Sequence, residues 1–214
     1  VDFFGGEPLL NFEVVKQTVD YARSIEQEHG KNFRFTLTTN GVYLDDDKIA
    51  YINAEMSNIV LSLDGRADVN DSVRKTINGK GSYDIIVPKF QKLVKEREKG
   101  KDYYVRGTFT AENLDFSSDI MHIKNLGFDQ ISIEPVVLEH SSDLAIKESH
   151  LQQIFKEYET LCEIMEKDKS FNFFHFMVDL DQGPCIIKRV RGCGAAVNML
   201  RLRRMGRYTL AISL

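Results

Sequence analysis

The hydrophobic period of this chain switches repeatedly between that of a helix and that of a strand, and this limits its architecture more than any other feature. Apolar Phe12, Val15, Val19, Ala22 and Ile25 step by three and four, marking a helix that ends at Gly30, after which Phe33, Phe35 and Leu37 alternate as a strand. Helical stretches near 45–55, 83–99, 115–126 and 147–167 then separate the strand-like runs IVLSL, YYVRGTFT, ISIEPV and FNFFHFMV. With Val1, Phe3 and Phe4 as a first strand, six strands alternate with five helices long enough to be crossovers. That pattern requires a parallel α/β architecture, either an open doubly wound sheet or a barrel. In both, ligands sit at the C-terminal ends of the strands.

Composition narrows the function classes. A length of 214 residues supports one sizeable core, or a large domain with part of a second. The net charge of -4 gives no electrostatic footprint for nucleic acid. No run of about 18 apolar residues is present to span a membrane, and the first residues lack a signal peptide's basic and apolar regions, so a cytoplasmic location is the expectation. Three cysteines, Cys162, Cys185 and Cys193, are too few for a disulfide framework. Cys162 falls with Ile154, Phe155, Tyr158, Leu161 and Met165 on one helical face and is expected in the core. The five histidines show no metal-like spacing.

The strand ends carry the candidate chemistry. Gly5-Gly6-Glu7-Pro8 reads equally well as a tight turn before a helix or as a ligand clamp. Glycines let the backbone approach a ligand, and a carboxylate there can pair with an ammonium. Thr38-Thr39-Asn40-Gly41 and Ser62-Leu63-Asp64-Gly65 are by themselves turns, with Asp64 as a loop cap. Arg106 stands mid-strand in YYVRGTFT, in phase with Tyr104 and Thr108 and out of phase with Val105 and Phe109. If the Val105 side faces the helices, Arg106 points inward and needs an anion, which a ligand carboxylate could supply. Glu134-Pro135 closes the fifth strand.

The order of these motifs, GGEP, TTNG, SLDG and then an arginine in the fourth strand, resembles the radical S-adenosylmethionine superfamily in its branch with a SPASM extension. The fuller wording, VDFFGGEPLLNFEVV, SNIVLSLDGRADVNDSVRKTINGKGSYD and DLDQGPCIIKRVRGCG, is most similar to the maturases that form thioether cross-links in small cysteine-rich SCIFF peptides. The resemblance implies a partial (β/α)6 barrel over 1–178 lacking its first strand and cluster loop, then the start of a SPASM domain at 179–194. It implies that Gly5, Gly6, Glu7 and Pro8 hold the methionyl ammonium of S-adenosylmethionine. Ser62 and Arg106 would engage its carboxylate, Thr39 and Asn40 would meet the cofactor, and Asp64 and Glu134 would lie nearby. Cys193, with Cys185 as a second ligand, would serve an auxiliary 4Fe-4S cluster. The implied chemistry is a 5′-deoxyadenosyl radical directed at a ribosomally made cysteine-rich precursor peptide, with a flavodoxin or ferredoxin as electron donor.

Two departures accompany the resemblance. The family's CxxxCxxC loop, whose thiolates bind the catalytic cluster, lies on the strand before GGEP, and this sequence begins after it. The expectation is therefore a truncated enzyme that does not cleave S-adenosylmethionine alone. The tail at 195–214, AAVNMLRLRRMGRYTLAISL from residue 195, is basic where the family continues with glycine and cysteines. Back-translated one nucleotide out of register, it can read GSEYAAVTPDGKIYPCHQF, which points to a one-base slip; a genuine basic segment is the alternative. Two other functions remain open: another SPASM enzyme such as an anaerobic sulfatase-maturating enzyme, and a non-enzymatic domain binding a nucleotide or peptide.

Overall fold

Each strand of this sheet pairs only with its neighbours in chain order. A computed structural model describes residues 1–177 and the backbone of two further short strands. Strands β1 (Asp2–Phe3), β2 (Thr36–Thr39), β3 (Asn58–Ser62), β4 (Asp102–Phe109), β5 (Gln130–Pro135) and β6 (Asn172–Phe173) form one parallel sheet in the order β1-β2-β3-β4-β5-β6. Between them run α1 (Phe12–His29), α2 (Asp46–Glu55), α3 (Ala67–Val73), α4 (Tyr83–Lys95), α5 (Phe116–Asn125) and α6 (Leu151–Lys167). The chain divides into two units, 1–176 and 177–214. Of the second, an antiparallel pair is described, β7 (Leu200–Leu202) with β8 (Tyr208–Leu210).

Parallel crossovers are right-handed, so a sheet whose spatial order equals its chain order receives every helix on the same side. The alternation within the strands records this. Leu37, Ile59, Leu61, Val105, Phe109, Ile131, Ile133 and Phe173 have no exposure and join buried residues of the helices, such as Val19, Ile52, Phe90, Ile120 and Leu161, in one core. Each large apolar side chain so buried contributes roughly 1.5–3 kcal/mol. Their in-between neighbours Thr38, Val60, Ser62, Arg106 and Glu134 are half-buried or exposed on the opposite face, which among the described residues carries no α-helix.

Local chemistry sets the helix ends. Gly30 closes α1 in the left-handed conformation, its N–H reaching back into the last turn. Asp45 caps α2 by accepting from the Lys48 N–H at 2.9 Å. The start of α4 is capped from another helix: Asp71 of α3 accepts from the N–H groups of Ser82 and Tyr83, each at 2.9 Å.

Several sequence expectations change. The stretch FNFFHFMV contributes only the two strand residues Asn172–Phe173, after which the chain tightens into a single 3-10 turn over Phe174–Phe176. The short helix α3 follows SLDG where no helix is expected from sequence. Cys162 is exposed, not core. The inward stripe of α6 is Ile154, Tyr158, Leu161 and Met165, and Phe155 and Cys162 lie one position further round the helix, outside it. Cys185 and Cys193 lie outside the described residues, as does most of the basic tail. Among the described residues, no helix is long and apolar enough to cross a membrane.

Gly107 marks the tightest contact in the sheet. A Cβ there would lie 2.4 Å from the Leu63 carbonyl oxygen and 2.6 Å from Ile133 Cδ1. Gly107→Ala is expected to destabilise the fold by about 1–3 kcal/mol, because backbone and core must move together. Urea unfolding of the two proteins measures it, and an unchanged midpoint would contradict this contact.

Candidate functional site

The C-terminal ends of β1 to β5 bring together polar groups that are far apart in sequence. At the first, Gly5 and Gly6 turn the chain with φ of 91° and 58°, conformations that side-chain-bearing residues seldom adopt, and the space around both is open. Glu7 then caps the 3-10 turn Pro8–Asn11 by accepting from the Leu9 N–H at 3.1 Å. Its carboxylate also spans to the next strand end. Thr39 Oγ1 donates to Glu7 Oε1 at 2.8 Å, and the Asn40 N–H donates to Oε2 at 2.7 Å. Thr39 is buried, and its hydroxyl also accepts from the Gly41 N–H at 3.0 Å. Asn40 Oδ1 accepts from the Val42 N–H at 3.0 Å, fixing the turn that follows. Glu7 is thus a clamp between two strand exits. A carboxylate offers about four acceptor positions, so one remains for a ligand donor.

A second group lies on the helix-free face of β3 to β5. Ser62 and Arg106 are register partners on adjacent parallel strands, so their side chains leave the same face side by side. Arg106 stands opposite Val105's side, as phase requires, and faces away from the helices. Its Nη2 donates to Glu134 Oε2 at 2.6 Å. Ser132, the register partner of Arg106 on β5, donates to Glu134 Oε1 at 3.4 Å. Among the described residues, Arg106 Nε and Nη1 have no partner, which leaves most of the planar fork for an oxygen-bearing anion. Arg106 and Glu134 are 47% and 35% exposed.

Asp64 belongs to neither group. Its side chain is buried and takes three donors: Arg74 Nε at 2.6 Å on Oδ2, and Arg74 Nη2 and the Thr108 N–H, each at 2.9 Å, on Oδ1. Its residue chemistry alone reads as a loop cap, and the structure shows it pinning the loop after β3 to β4. Asp119 repeats the device, buried and accepting from the Arg66 N–H at 2.9 Å, Arg66 Nε at 2.8 Å and Asn113 Nδ2 at 3.2 Å. The Arg66 guanidinium is held still more firmly protonated by Asp115 and Asp119.

Sequence reading passes over Ser132, Arg74 and the pair Tyr158 and His175. The Tyr158 hydroxyl lies 2.9 Å from His175 Nδ1 beside β6. Burial pushes the His175 pKa down, against the opposing field of Glu134. Only the period-2 phase of Ser132 with Glu134 could have been read from sequence, since the other partners are set by the tertiary fold. Among the described residues, no group of three or more His, Cys, Asp or Glu is arranged to hold a metal.

The donor set fits a zwitterion. A guanidinium fork with a neighbouring hydroxyl suits a carboxylate, and Glu7 with the open Gly5-Gly6 backbone suits an ammonium.

Comparison with known proteins supplies the context. A family model described as Radical SAM superfamily matches residues 1–116. The uncharacterized protein MJ0907 of Methanocaldococcus jannaschii is 35% identical over 83 residues, covering 38% of this chain and 28% of that protein. Among solved structures, native anSMEcpe with bound AdoMet superposes with a TM-score of 0.72 at 15% identity, over 82% of this chain and 49% of that one. SuiB of Streptococcus suis gives 0.54 at 15% identity, over 81% of this chain and 38% of that one. The chain thus spans about half or less of the length of these relatives.

Two outcomes are expected at this site. Asp64→Ala leaves Arg74 without its carboxylate and the Thr108 N–H unmet, and should cost about 3–5 kcal/mol by denaturant unfolding. A stable variant with altered ligand affinity alone would return Asp64 to the binding site. For His175, the folded pKa lies below 6.5, so its contribution to stability is present above that pH and lost as pH falls through the folded value. A histidine NMR titration midpoint at or above 6.5 would contradict the burial.

Proposed function

Since the chain belongs to the radical SAM superfamily, its family model matching residues 1–116, we propose that it forms the S-adenosylmethionine-binding part of a peptide-modifying radical enzyme. The observation that carries this is the gathering of polar groups at the C-terminal ends of the strands, with Ser62 and Arg106 side by side in register and Glu7 clamping the ends of β1 and β2. On this reading Arg106 and Ser62 take the methionyl carboxylate. The ammonium meets Gly5, Gly6 and the remaining acceptor position of Glu7, Pro8 stiffens the turn, and Thr39 and Asn40 form the wall between.

When bound, S-adenosylmethionine and a reduced 4Fe-4S cluster supply hydrogen-abstracting radical chemistry. The part of this chain in that chemistry is to orient the amino-acid end of the ligand. On this reading Cys185 and Cys193, which lie outside the described residues, would serve an auxiliary cluster.

The substrate proposed is a ribosomally made cysteine-rich peptide in which a carbon-hydrogen and a sulfur-hydrogen bond give way to a thioether. The wording of the motifs supports that choice. The likeness to anSMEcpe, which has been solved with AdoMet and the Kp18Cys peptide, supports a peptide substrate in general and keeps sulfatase maturation as the second reading.

Titration of S-adenosylmethionine into anaerobically reconstituted full-length protein tests the site. Arg106→Ala should weaken binding by about 1.5–3 kcal/mol, roughly tenfold to 150-fold. Unchanged affinity would remove Arg106 from the carboxylate position. With a cysteine-rich peptide as substrate, mass spectrometry should show the peptide lighter by two hydrogen atoms per cross-link, one of them recovered in 5′-deoxyadenosine.

A further inference from the structure

We propose that Glu134 is a positioning residue, which holds the Arg106 guanidinium at the ligand end of the sheet so that its free edge meets a carboxylate. The proposal rests on the reading of this face as an S-adenosylmethionine site. Three observations carry it.

The first is direction. Arg106 is in register with Ser132, and Glu134 stands two residues further toward the C-terminal end of β5. Bonding to Glu134 at 2.6 Å therefore draws the guanidinium along the sheet toward its C-terminal rim, on the β5 side of β4. A straight cross-strand bond to Ser132 would leave it lower on the face.

The second is stoichiometry. Glu134 occupies one corner of the fork, Nη2, and among the described residues Nε and Nη1 stay unpartnered. Glu134 needs only one of the two Nη2 hydrogens, so the other forms, with Nε or with Nη1, an edge of two donors that matches the two oxygens of a carboxylate. The ligand can then bind without breaking the internal pair.

The third is energetic. With Arg106 47% and Glu134 35% exposed, an ion pair adds little to stability, since solvent screens it. The buried pairs Asp64–Arg74 and Asp119–Arg66 do the structural tying nearby. Glu134 is itself steadied by Ser132 Oγ at 3.4 Å on its other oxygen. A half-exposed pair with a supporting hydroxyl, in the middle of the polar face, serves orientation better than stability.

Two ligands that share a nucleoside and sulfur but differ in the amino-acid end separate this role from others. Equilibrium dialysis of the full-length reconstituted protein would compare S-adenosylmethionine with 5′-methylthioadenosine, which lacks the carboxylate. Glu134→Ala should weaken the first by about fivefold to tenfold and leave the second unchanged. Glu134→Gln, which keeps an acceptor oxygen for Arg106, should restore affinity to within about twofold. In Arg106→Ala, the further change Glu134→Ala should add nothing, since the two act as one unit. Unchanged or tighter S-adenosylmethionine binding in Glu134→Ala would overturn the proposal, the tighter case showing that Glu134 competes with the ligand. Equal loss for both ligands would also overturn it, showing a general defect of the fold. Failure of the unaltered protein to bind S-adenosylmethionine would sink the underlying reading itself, before any variant is compared.

Discussion

The identity between chain order and sheet order governs this molecule. Because each crossover is right-handed, the in-order sheet sends α1 through α6 to one side. One face then collects Leu37, Leu61, Val105, Phe109 and Ile133 into a dry core, and the other keeps Ser62, Arg106, Ser132 and Glu134. A sheet with helices on both sides would have buried Arg106 among apolar groups at a heavy desolvation cost. Here it is half-exposed, and its charge remains available.

Carboxylates at the strand exits do two kinds of work, and burial separates them. Asp64 and Asp119 are withdrawn from solvent and fully engaged by arginines and backbone N–H groups, which makes them fasteners for the loops after β3 and β4. Glu7 and Glu134 are only partly covered and each touches a group of the candidate site. Glu7 belongs to both kinds, since it binds the exits of β1 and β2 to each other while remaining at the rim. The site's rigidity and its charge therefore come from the same residue type in different surroundings.

Much of this was readable from sequence. Switching periodicity gave the parallel α/β class and the approximate extent of five helices, because amphipathic repeats report directly which side is buried. The phase of Arg106 against Val105 gave its face correctly. The partner of Arg106 was not readable, because Glu134 meets it only through strand pairing 28 residues away. The partner of Asp64 was unreadable for a related reason: a loop aspartate looks the same whether its donor is a ligand or an arginine ten residues on. Cys162 was misplaced by a single helical step, a shift of about 100° that turns a core position into an outer one. The strand at FNFFHFMV was overcalled because aromatic residues favour strands, while here Phe173, Phe176, His175 and Tyr158 cluster around a tight turn.

The in-order sheet also bears on how such a chain is made. Every strand's partner on its N-terminal side has already been synthesised when that strand emerges, since β2 pairs back to β1, β3 to β2, and so on to β6. No strand has to wait for a later one to be inserted between it and its neighbour. The sheet can thus grow in one direction at the pace of translation, each new strand and helix closing over the apolar surface left by the last. A register error at any step would be confined to the growing edge, where it can still be undone before the next strand covers it.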